Sequence, residues 1–176
     1  MRKELRLSGT GGQGLILAGI ILAEAALLDG KMAIQSQSYG PEARGGSSKS
    51  EVIISDDAIH FPKVTEPDLL LAMSQEAANK YSHDLSADSI LVTDSLFVQS
   101  LPEHHTGKVY ELPITHNAKE VLGKSLFANI IALGALVQIT GIVSHESLEK
   151  AVLNRVPKGT EELNKKALQI GMELVK

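Results

Sequence analysis

The sequence contains no cysteine, no tryptophan, three phenylalanines and three tyrosines among 176 residues. Without cysteine the chain offers no disulfide, no thiolate nucleophile and no ligand for an iron–sulfur cluster. Any redox cluster that works with this chain must therefore sit on another polypeptide. The lack of disulfides fits a cytoplasmic location. The scarcity of aromatic residues disfavours a stacking platform for single-stranded nucleic acid.

The sequence has neither an excess of positive charge nor an apolar run long enough to span a membrane. The formal net charge of −4 argues against a nucleic-acid partner. The apolar stretch 15–28 contains Glu24, and the stretch 126–139 is interrupted by Asn129 and Gln138. Both are shorter than the roughly 20 apolar residues that span a bilayer. We therefore expect one cytoplasmic domain, residues 1–176, that binds neither nucleic acid nor a membrane.

A glycine-rich turn, residues 8–14, lies between a short apolar strand and an apolar helix. Gly9, Gly11 and Gly14 fit the spacing G-x-G-x-x-G in the strand–turn–helix context that dinucleotide sites require. Glycines allow close backbone approach, and the unpaired N–H groups at a helix start can receive an anion. A tight turn that binds nothing explains the same residues, and the turn alone leaves both interpretations open.

A nicotinamide or flavin site makes one further demand. An acidic residue about 20 positions on, at the end of the second strand, should bind the ribose hydroxyl. We predict that strand at 31–36, and its end, 36–38, is Ser-Gln-Ser; Glu42 follows only beyond Pro41. This pattern disfavours NAD, is neutral for NADP, and leaves open a phosphate-bearing ligand that makes no ribose contact.

The stretch 37–47 holds three glycines and a proline, which predicts a loop without regular structure. Within it, Arg44 could pair in a bidentate manner with a phosphate or carboxylate. An ion pair with Glu42 or Glu51, or a solvated surface charge, is the simpler interpretation of that arginine. Functional loops nevertheless tend to lie beside the crevice of a Rossmann-like sheet.

The remaining pattern predicts an α/β fold. Apolar runs indicate strands at 49–54, 68–73, 89–94 and 108–112, and helices at 75–81, 115–122, 125–140, 144–154 and from 160 onward. Ser74, Ser144 and Thr160 are expected N-caps. Strands that alternate with helices early, followed by helices alone, predict a three-layer Rossmann-like domain with a mostly parallel sheet and a helical C-terminal third.

No cluster of residues predicts catalysis or metal binding on this chain. The adjacent pair His104 and His105 cannot share one helix face, and the other histidines are isolated. Asn129 lies in an apolar helix, where a buried amide needs a partner. We expect it to hydrogen-bond a neighbouring loop.

Two motifs, Gly-Thr-Gly-Gly-Gln-Gly at 9–14 and Ser-Tyr-Gly-Pro-Glu-Ala-Arg-Gly-Gly at 38–46, together resemble the gamma subunit of 2-oxoacid:ferredoxin oxidoreductases. The segments 112–113, 129–134 and 164–168 are also similar, so the resemblance covers nearly the whole chain. The second motif is most similar to 2-oxoglutarate-type gamma chains. It is less similar to pyruvate-type chains and to the small subunit of indolepyruvate oxidoreductase.

The resemblance implies a single gamma domain, like domain III of the catalytic complex. That enzyme oxidatively decarboxylates a 2-oxoacid with coenzyme A and reduces ferredoxin. Alpha and beta subunits would hold thiamine diphosphate with magnesium, and the clusters would sit on beta or delta chains. The gamma chain would carry no catalytic residue, no metal and no cofactor of its own. Its Asp29-Gly30 pair lacks the preceding glycine of the thiamine motif.

The resemblance also implies which residues would bind coenzyme A. Its phosphates suit a glycine turn at a helix start. The implied binding residues are Gly9, Gly11, Gly12, Gln13 and Gly14 in the turn, and Tyr39, Arg44, Gly45 and Gly46 in the loop. Two alternatives remain: a free-standing Rossmann-like nucleotide-binding protein, and the gamma chain of a pyruvate or indolepyruvate oxidoreductase.

Overall fold

The computed structural model describes residues 1–39 and 46–176, and the side chain of Tyr39 is outside that description. The strands are β1 (Arg2–Thr10), β2 (Met32–Tyr39), β3 (Ser47–Ser55), β4 (Leu69–Ala72), β5 (Ile90–Asp94) and β6 (Lys108–Leu112). The helices are α1 (Leu15–Leu28), α2 (Gln75–Tyr81), α3 (Ile114–Leu122), α4 (Ala128–Thr140), α5 (His145–Arg155) and α6 (Glu161–Glu173). A single 3-10 turn, Ser125–Phe127, precedes α4.

The six strands form one sheet in the order β2-β3-β1-β4-β5-β6. β1, β4, β5 and β6 run parallel, and β3 is antiparallel to both of its neighbours. The prediction of a mostly parallel α/β sheet is therefore confirmed. α1 leads from β1 to β2, but β3 lies between those two strands, so β1 and β2 are not paired.

The loop predicted at 37–47 was too long at both ends, because strand residues extend into it from either side. Gln37 and Ser38 continue β2 by pairing with Ser50 and Lys49 of β3. Ser47 already belongs to β3 and pairs with Thr10. Antiparallel pairing satisfies these backbone groups whatever the composition of the loop that joins the strands.

The helices are divided unequally between the two faces of the sheet. On one face, Leu5, Leu7, Val52, Leu69 and Leu71 belong to the main core with residues of α1 and α3 to α6. On the other face, α2 covers a small cluster built around Leu70, Leu91 and Tyr81. The predicted three layers are present. α4 is buried from Ala128 to Val137, which explains why its sequence is apolar all round.

α4 and α6 lie unusually close together because each carries a glycine at the contact. A Cβ atom at Gly134 would lie 2.3 Å from the carbonyl oxygen of Leu168. One at Gly171 would lie 1.9 Å from that of Ile131. Any side chain at either position would force the two helices apart.

The face of the sheet that α2 covers contains a buried arginine. Arg6 of β1 is ion-paired to Glu51 of β3 at 2.9 Å and to Asp84, beyond α2, at 2.7 Å. Burial by itself lowers the pKa of Arg6, but the hydrogen bonds and charges of Asp84 and Glu51 outweigh that effect and raise it. The guanidinium thus stays charged and ties β3 to the segment that follows α2.

Helix ends follow the predicted caps in two of three cases. The hydroxyl oxygens of Ser74 and Ser144 each accept a hydrogen bond from the backbone N–H three residues later. The donors are Ala77 N and Ser147 N, both at 3.1 Å. The hydroxyl of Thr160 instead donates to the carbonyl oxygen of Pro157 at 2.6 Å, so it does not cap α6. Within the described residues, no helix combines the length and apolar character needed to cross a bilayer.

Asp29 joins the end of α1 to the start of α5. Its carboxylate accepts hydrogen bonds from Ser144 N at 2.6 Å, Ser144 Oγ at 2.7 Å and Ser147 Oγ. Burial alone would raise the pKa of Asp29, but the bonds from Ser147 and Ser144 outweigh it and lower the pKa. The bonds therefore favour the ionised carboxylate in the folded state.

Because the folded-state pKa of Asp29 is lowered, its stabilising contribution is present above the unfolded pKa and is lost as the pH falls through the folded pKa. We expect Asp29→Asn to lower the free energy of unfolding by about 1 kcal/mol at pH 7. The difference from wild type should shrink below about pH 4, near the unfolded value for an aspartate. Denaturant titrations at pH 7 and pH 3 measure both quantities.

Asp88→Asn is the control for that experiment, because Asp88 is exposed and accepts no hydrogen bond from the described residues. It should leave the free energy of unfolding unchanged at both pH values. A difference between Asp29→Asn and wild type that stays constant from pH 7 to pH 3 would contradict the assignment.

Candidate functional site

The glycine turn lies at the edge of the sheet where the parallel strands end. Thr10, Ala72, Asp94 and Leu112 are the last residues of β1, β4, β5 and β6. Ligands of open α/β sheets bind outside this edge, since the loops that follow the strands gather there. β3 starts at the same edge, next to β1, in the position where a dinucleotide fold would place its ribose-binding strand.

Gln13 folds back over the turn and fixes its shape. Its Oε1 accepts a hydrogen bond from Thr10 N at 2.7 Å, and its Nε2 donates to the carbonyl oxygen of Met73 at 3.0 Å. A Cβ atom at Gly9 would lie 2.2 Å from Gln13 Oε1, so Gly9 leaves room for this side chain. The Gln13 amide, predicted as a ligand contact, is thus engaged by the protein on both its oxygen and its nitrogen.

Asn129 of α4 holds the other end of the turn. Its Nδ2 donates to the carbonyl oxygen of Gly14 at 3.1 Å, which confirms the expected bond to a neighbouring loop. A Cβ atom at Gly14 would lie 2.5 Å from that nitrogen, and Gly14 has a φ of +74°. Gly14 is therefore required twice, by its backbone conformation and by the close approach of Asn129. Gln138, the other amide of α4, is exposed.

Gly11 is the one residue of the G-x-G-x-x-G pattern that the fold does not require. It is exposed, its φ is not positive, and no atom of residues 1–39 or 46–176 lies within 4 Å of a Cβ atom built there. Gly12, outside the pattern, has a φ of +86° and needs glycine for that reason. The bare backbone at Gly11 suits close approach by a ligand or by another chain.

A cleft of about 280 Å³ opens beside the turn. The glycine-turn side of the cleft is formed by Thr10, Gly12 and Gln13, and the facing side by Phe97, Thr115, Lys119, Ser125, Leu126 and Ala128. Lys119 is exposed and forms no ion pair with a carboxylate in the described part of the chain. One cation, three hydroxyl-bearing residues, an aromatic ring and the backbone that leads into α1 thus line a single recess.

Sequence reasoning missed Phe97, Thr115 and Lys119. Phe97 follows the end of β5, and the other two lie in the first turns of α3, directly after β6. The rule that loops after parallel strands gather at one edge would have indicated these segments. Nothing in the local sequence marks the individual residues.

The predicted loop residues are placed only in part. Gly46 is half-buried directly before β3, and Tyr39 ends β2, paired with Ser48. Both ends of the loop therefore lie at the edge that carries the glycine turn. Arg44 and Gly45 are outside the described residues, as is the Tyr39 side chain. Among the residues that are described, no three His, Asp or Glu side chains converge as metal ligands.

The sequence model of the family described as pyruvate ferredoxin/flavodoxin oxidoreductase matches residues 4–174. The chain belongs to this family. The match runs from within β1, through the glycine turn, to the residue after α6. The resemblance to gamma subunits of 2-oxoacid:ferredoxin oxidoreductases is confirmed by individual relatives.

One similar family member is the 2-oxoglutarate synthase subunit KorC of Methanocaldococcus jannaschii. It is 53% identical over 100% of this chain and 95% of its own length. The pyruvate synthase subunit PorC of the same organism is 32% identical over 95% of this chain and 93% of its own length. A solved structure, the keto/oxoacid ferredoxin oxidoreductase gamma subunit of Geobacter sulfurreducens, superposes with a TM-score of 0.89. It is 54% identical and covers 98% of both chains.

The two hydrogen bonds of Gln13 make a prediction about the turn. In Gln13→Glu, one carboxylate oxygen can still accept from Thr10 N, but the other would face the carbonyl oxygen of Met73 without a proton to share. We expect the free energy of unfolding to fall by about 1–3 kcal/mol. Backbone amides of residues 11–14 should exchange faster in hydrogen-exchange measurements.

Gln138→Glu introduces the same charge on the exposed face of α4 and is the matched control. It should leave the free energy of unfolding within about 0.5 kcal/mol of wild type. Equal effects of the two substitutions on stability and on exchange in the turn would show that Gln13 does not fix the turn.

Proposed function

We propose that this chain, as one domain, is the gamma subunit of a 2-oxoglutarate:ferredoxin oxidoreductase. That enzyme converts the 2-oxoacid to an acyl-coenzyme A and passes the electrons to ferredoxin. The gap between 53% identity to KorC and 32% to PorC of one organism supports 2-oxoglutarate over pyruvate. The form of the motif at 38–46 supports the same choice.

Within the complex the chain is non-catalytic. It has no cysteine, so it cannot ligate an iron–sulfur cluster. In the described ranges, no three His, Asp or Glu side chains come together as metal ligands. We therefore assign both cofactors to partner chains: thiamine diphosphate to alpha and beta, and the clusters to beta or delta, which pass electrons to ferredoxin.

The gamma chain packs on these partners through an apolar surface beside the cleft. Leu17, Leu126 and Leu163 are exposed around a groove of about 270 Å³, and Leu126 is 64% exposed. Exposed apolar groups clustered in this way mark interaction sites. Because the relatives are named as subunits, the occupant is the alpha or beta chain.

The second role is to bind coenzyme A at the cleft. Coenzyme A is a substrate of the reaction and carries phosphates and an adenine ring. The start of α1 and Lys119 offer donors and charge for phosphate, and Phe97 offers an aromatic face. The observation that carries this proposal is Gly11, whose bare backbone beside that helix start nothing in the described part of the fold requires. Arg44, in the adjoining loop, would add a second cation.

A free-standing nucleotide-binding protein is the weaker alternative. The end of β2 carries no acidic residue for a ribose hydroxyl, and β3 separates β2 from the glycine turn. Tight binding of NADP by the isolated chain would favour that alternative. The subunit proposal predicts no such binding, because half a site is poorly preorganised.

In the assembled complex, Gly11→Val and Lys119→Gln each test the coenzyme A site. Valine at residue 11 meets no other part of the described protein, so it should fold normally while blocking close approach of a phosphate. Loss of one charged phosphate contact costs about tenfold in affinity. We expect the KM for coenzyme A to rise at least about tenfold, with the KM for 2-oxoglutarate unchanged, in ferredoxin-reduction assays.

Lys166→Gln is the matched control, because Lys166 is exposed on α6, outside the cleft. It should leave both KM values at wild-type levels. Calorimetric titration of each complex with coenzyme A gives the affinity directly. Wild-type affinity in both Gly11→Val and Lys119→Gln would reject the proposed site.

A further inference from the structure

Asp94, the last residue of β5, is completely buried directly behind the cleft. Its carboxylate forms no ion pair with a cation in the described ranges, so hydrogen bonds must satisfy it. One oxygen, Oδ1, accepts from Leu96 N at 3.2 Å. The other, Oδ2, accepts from Thr115 N at 3.2 Å and from the hydroxyl of Thr115 in a short bond.

The two oxygens therefore hold two different segments. The first is the turn after β5, in which Phe97 N and Val98 N also donate to the main-chain carbonyl of Asp94, at 3.2 and 2.9 Å. In this turn Val98 points into a small core with Ala72, while Phe97 lines the cleft. The second segment is the first turn of α3, which begins after β6.

By fixing the first turn of α3, Asp94 also positions Lys119, the cation of the cleft. Thr115 and Lys119 are four residues apart on α3, so they lie on the same helix face, and both line the cleft. A carboxylate at the start of a helix also meets N–H groups that have no partner within the helix, and it interacts favourably with the helix dipole. Asp94 thus fixes both where α3 starts and which way its cleft face points.

Stability alone does not explain a charge at this place. A buried carboxylate is costly to desolvate, and apolar residues of similar volume usually serve a core at least as well. What a carboxylate provides here is two acceptors, aimed in different directions, that set two cleft-lining segments at a fixed separation. An apolar side chain cannot do this, and a single hydroxyl offers no such pair of oxygens.

We propose that Asp94 is a positioning residue of the coenzyme A cleft. It sets Phe97 and the Thr115–Lys119 face of α3 at the distance from the glycine turn that the ligand requires. Asp94 itself does not line the cleft, so it acts through the residues that do. The inference rests on the proposed function, since it presupposes that coenzyme A occupies this recess.

Asp94→Asn in the assembled complex is the central test. Asparagine keeps the volume but has one acceptor oxygen, so it can hold Leu96 N or Thr115, not both. We expect the KM for coenzyme A to rise about tenfold, with kcat at saturating coenzyme A and the KM for 2-oxoglutarate within about twofold of wild type. If only the cleft wall is displaced, the KM for coenzyme A alone changes. If the whole subunit is destabilised, kcat and the KM for 2-oxoglutarate change as well.

Two further variants keep the proposal testable if Asp94→Asn does not assemble. Thr115→Val removes the hydroxyl that donates to Asp94, while Thr115→Ser retains it. Thr115→Val should raise the KM for coenzyme A by more than Thr115→Ser does. Asp29→Asn removes a comparably bonded carboxylate at the far end of α1; it should lower stability and leave the KM for coenzyme A unchanged.

The outcomes separate this inference from the function on which it rests. If Lys119→Gln and Gly11→Val leave the KM for coenzyme A unchanged, the binding site itself is wrong. If they raise it but Asp94→Asn and Thr115→Val do not, the site stands and the positioning role is overturned. Parallel rises in both KM values in Asp94→Asn would also overturn that role, because they would indicate a purely structural residue.

Discussion

The hydrogen bonds that hold the glycine turn are the constraint on which the functional edge of the sheet depends. Gln13 joins the end of β1 to the residue after β4, and Asn129 fastens the start of α1 to α4. Together they fix where α1 begins and which backbone groups face the cleft. Gly9 and Gly14 are glycines because these two amides come so close. With the turn held from inside, Gly11 is left at the surface, and no other residue in the described part of the chain packs against it.

Much of the fold could be predicted because its signals are local. The strand–turn–helix at the N-terminus, the apolar runs of β4 and β5 and the cap at Ser74 each depend on residues a few positions apart. The partner of Asn129 could be expected as well, since an amide in an apolar helix must be satisfied. The position of β3 between β1 and β2 could not, because strand pairing over 40 residues leaves no local trace.

The candidate site was predicted only on its glycine-turn side. The facing side comes from Phe97 and from Lys119, roughly a hundred residues further along the chain, and only the folded sheet brings them to the turn. Gln13 illustrates a contact that the sequence did not indicate. The resemblance implies that it meets a ligand, which stays a prediction, and the structure shows in addition that its amide builds the turn. Asp94 was predicted as part of a strand, and its role depends on two loops that only the fold brings together.

These features support the proposal of a subunit that contributes shape and charge while partner chains carry the redox chemistry. The most direct test is an affinity pull-down of this chain from its native cells under anaerobic conditions. The account predicts larger, cysteine-rich chains in fixed stoichiometry, with thiamine diphosphate, iron and coenzyme A-dependent reduction of ferredoxin by 2-oxoglutarate. Recovery of the chain as a stable monomer that binds NADP tightly would contradict it.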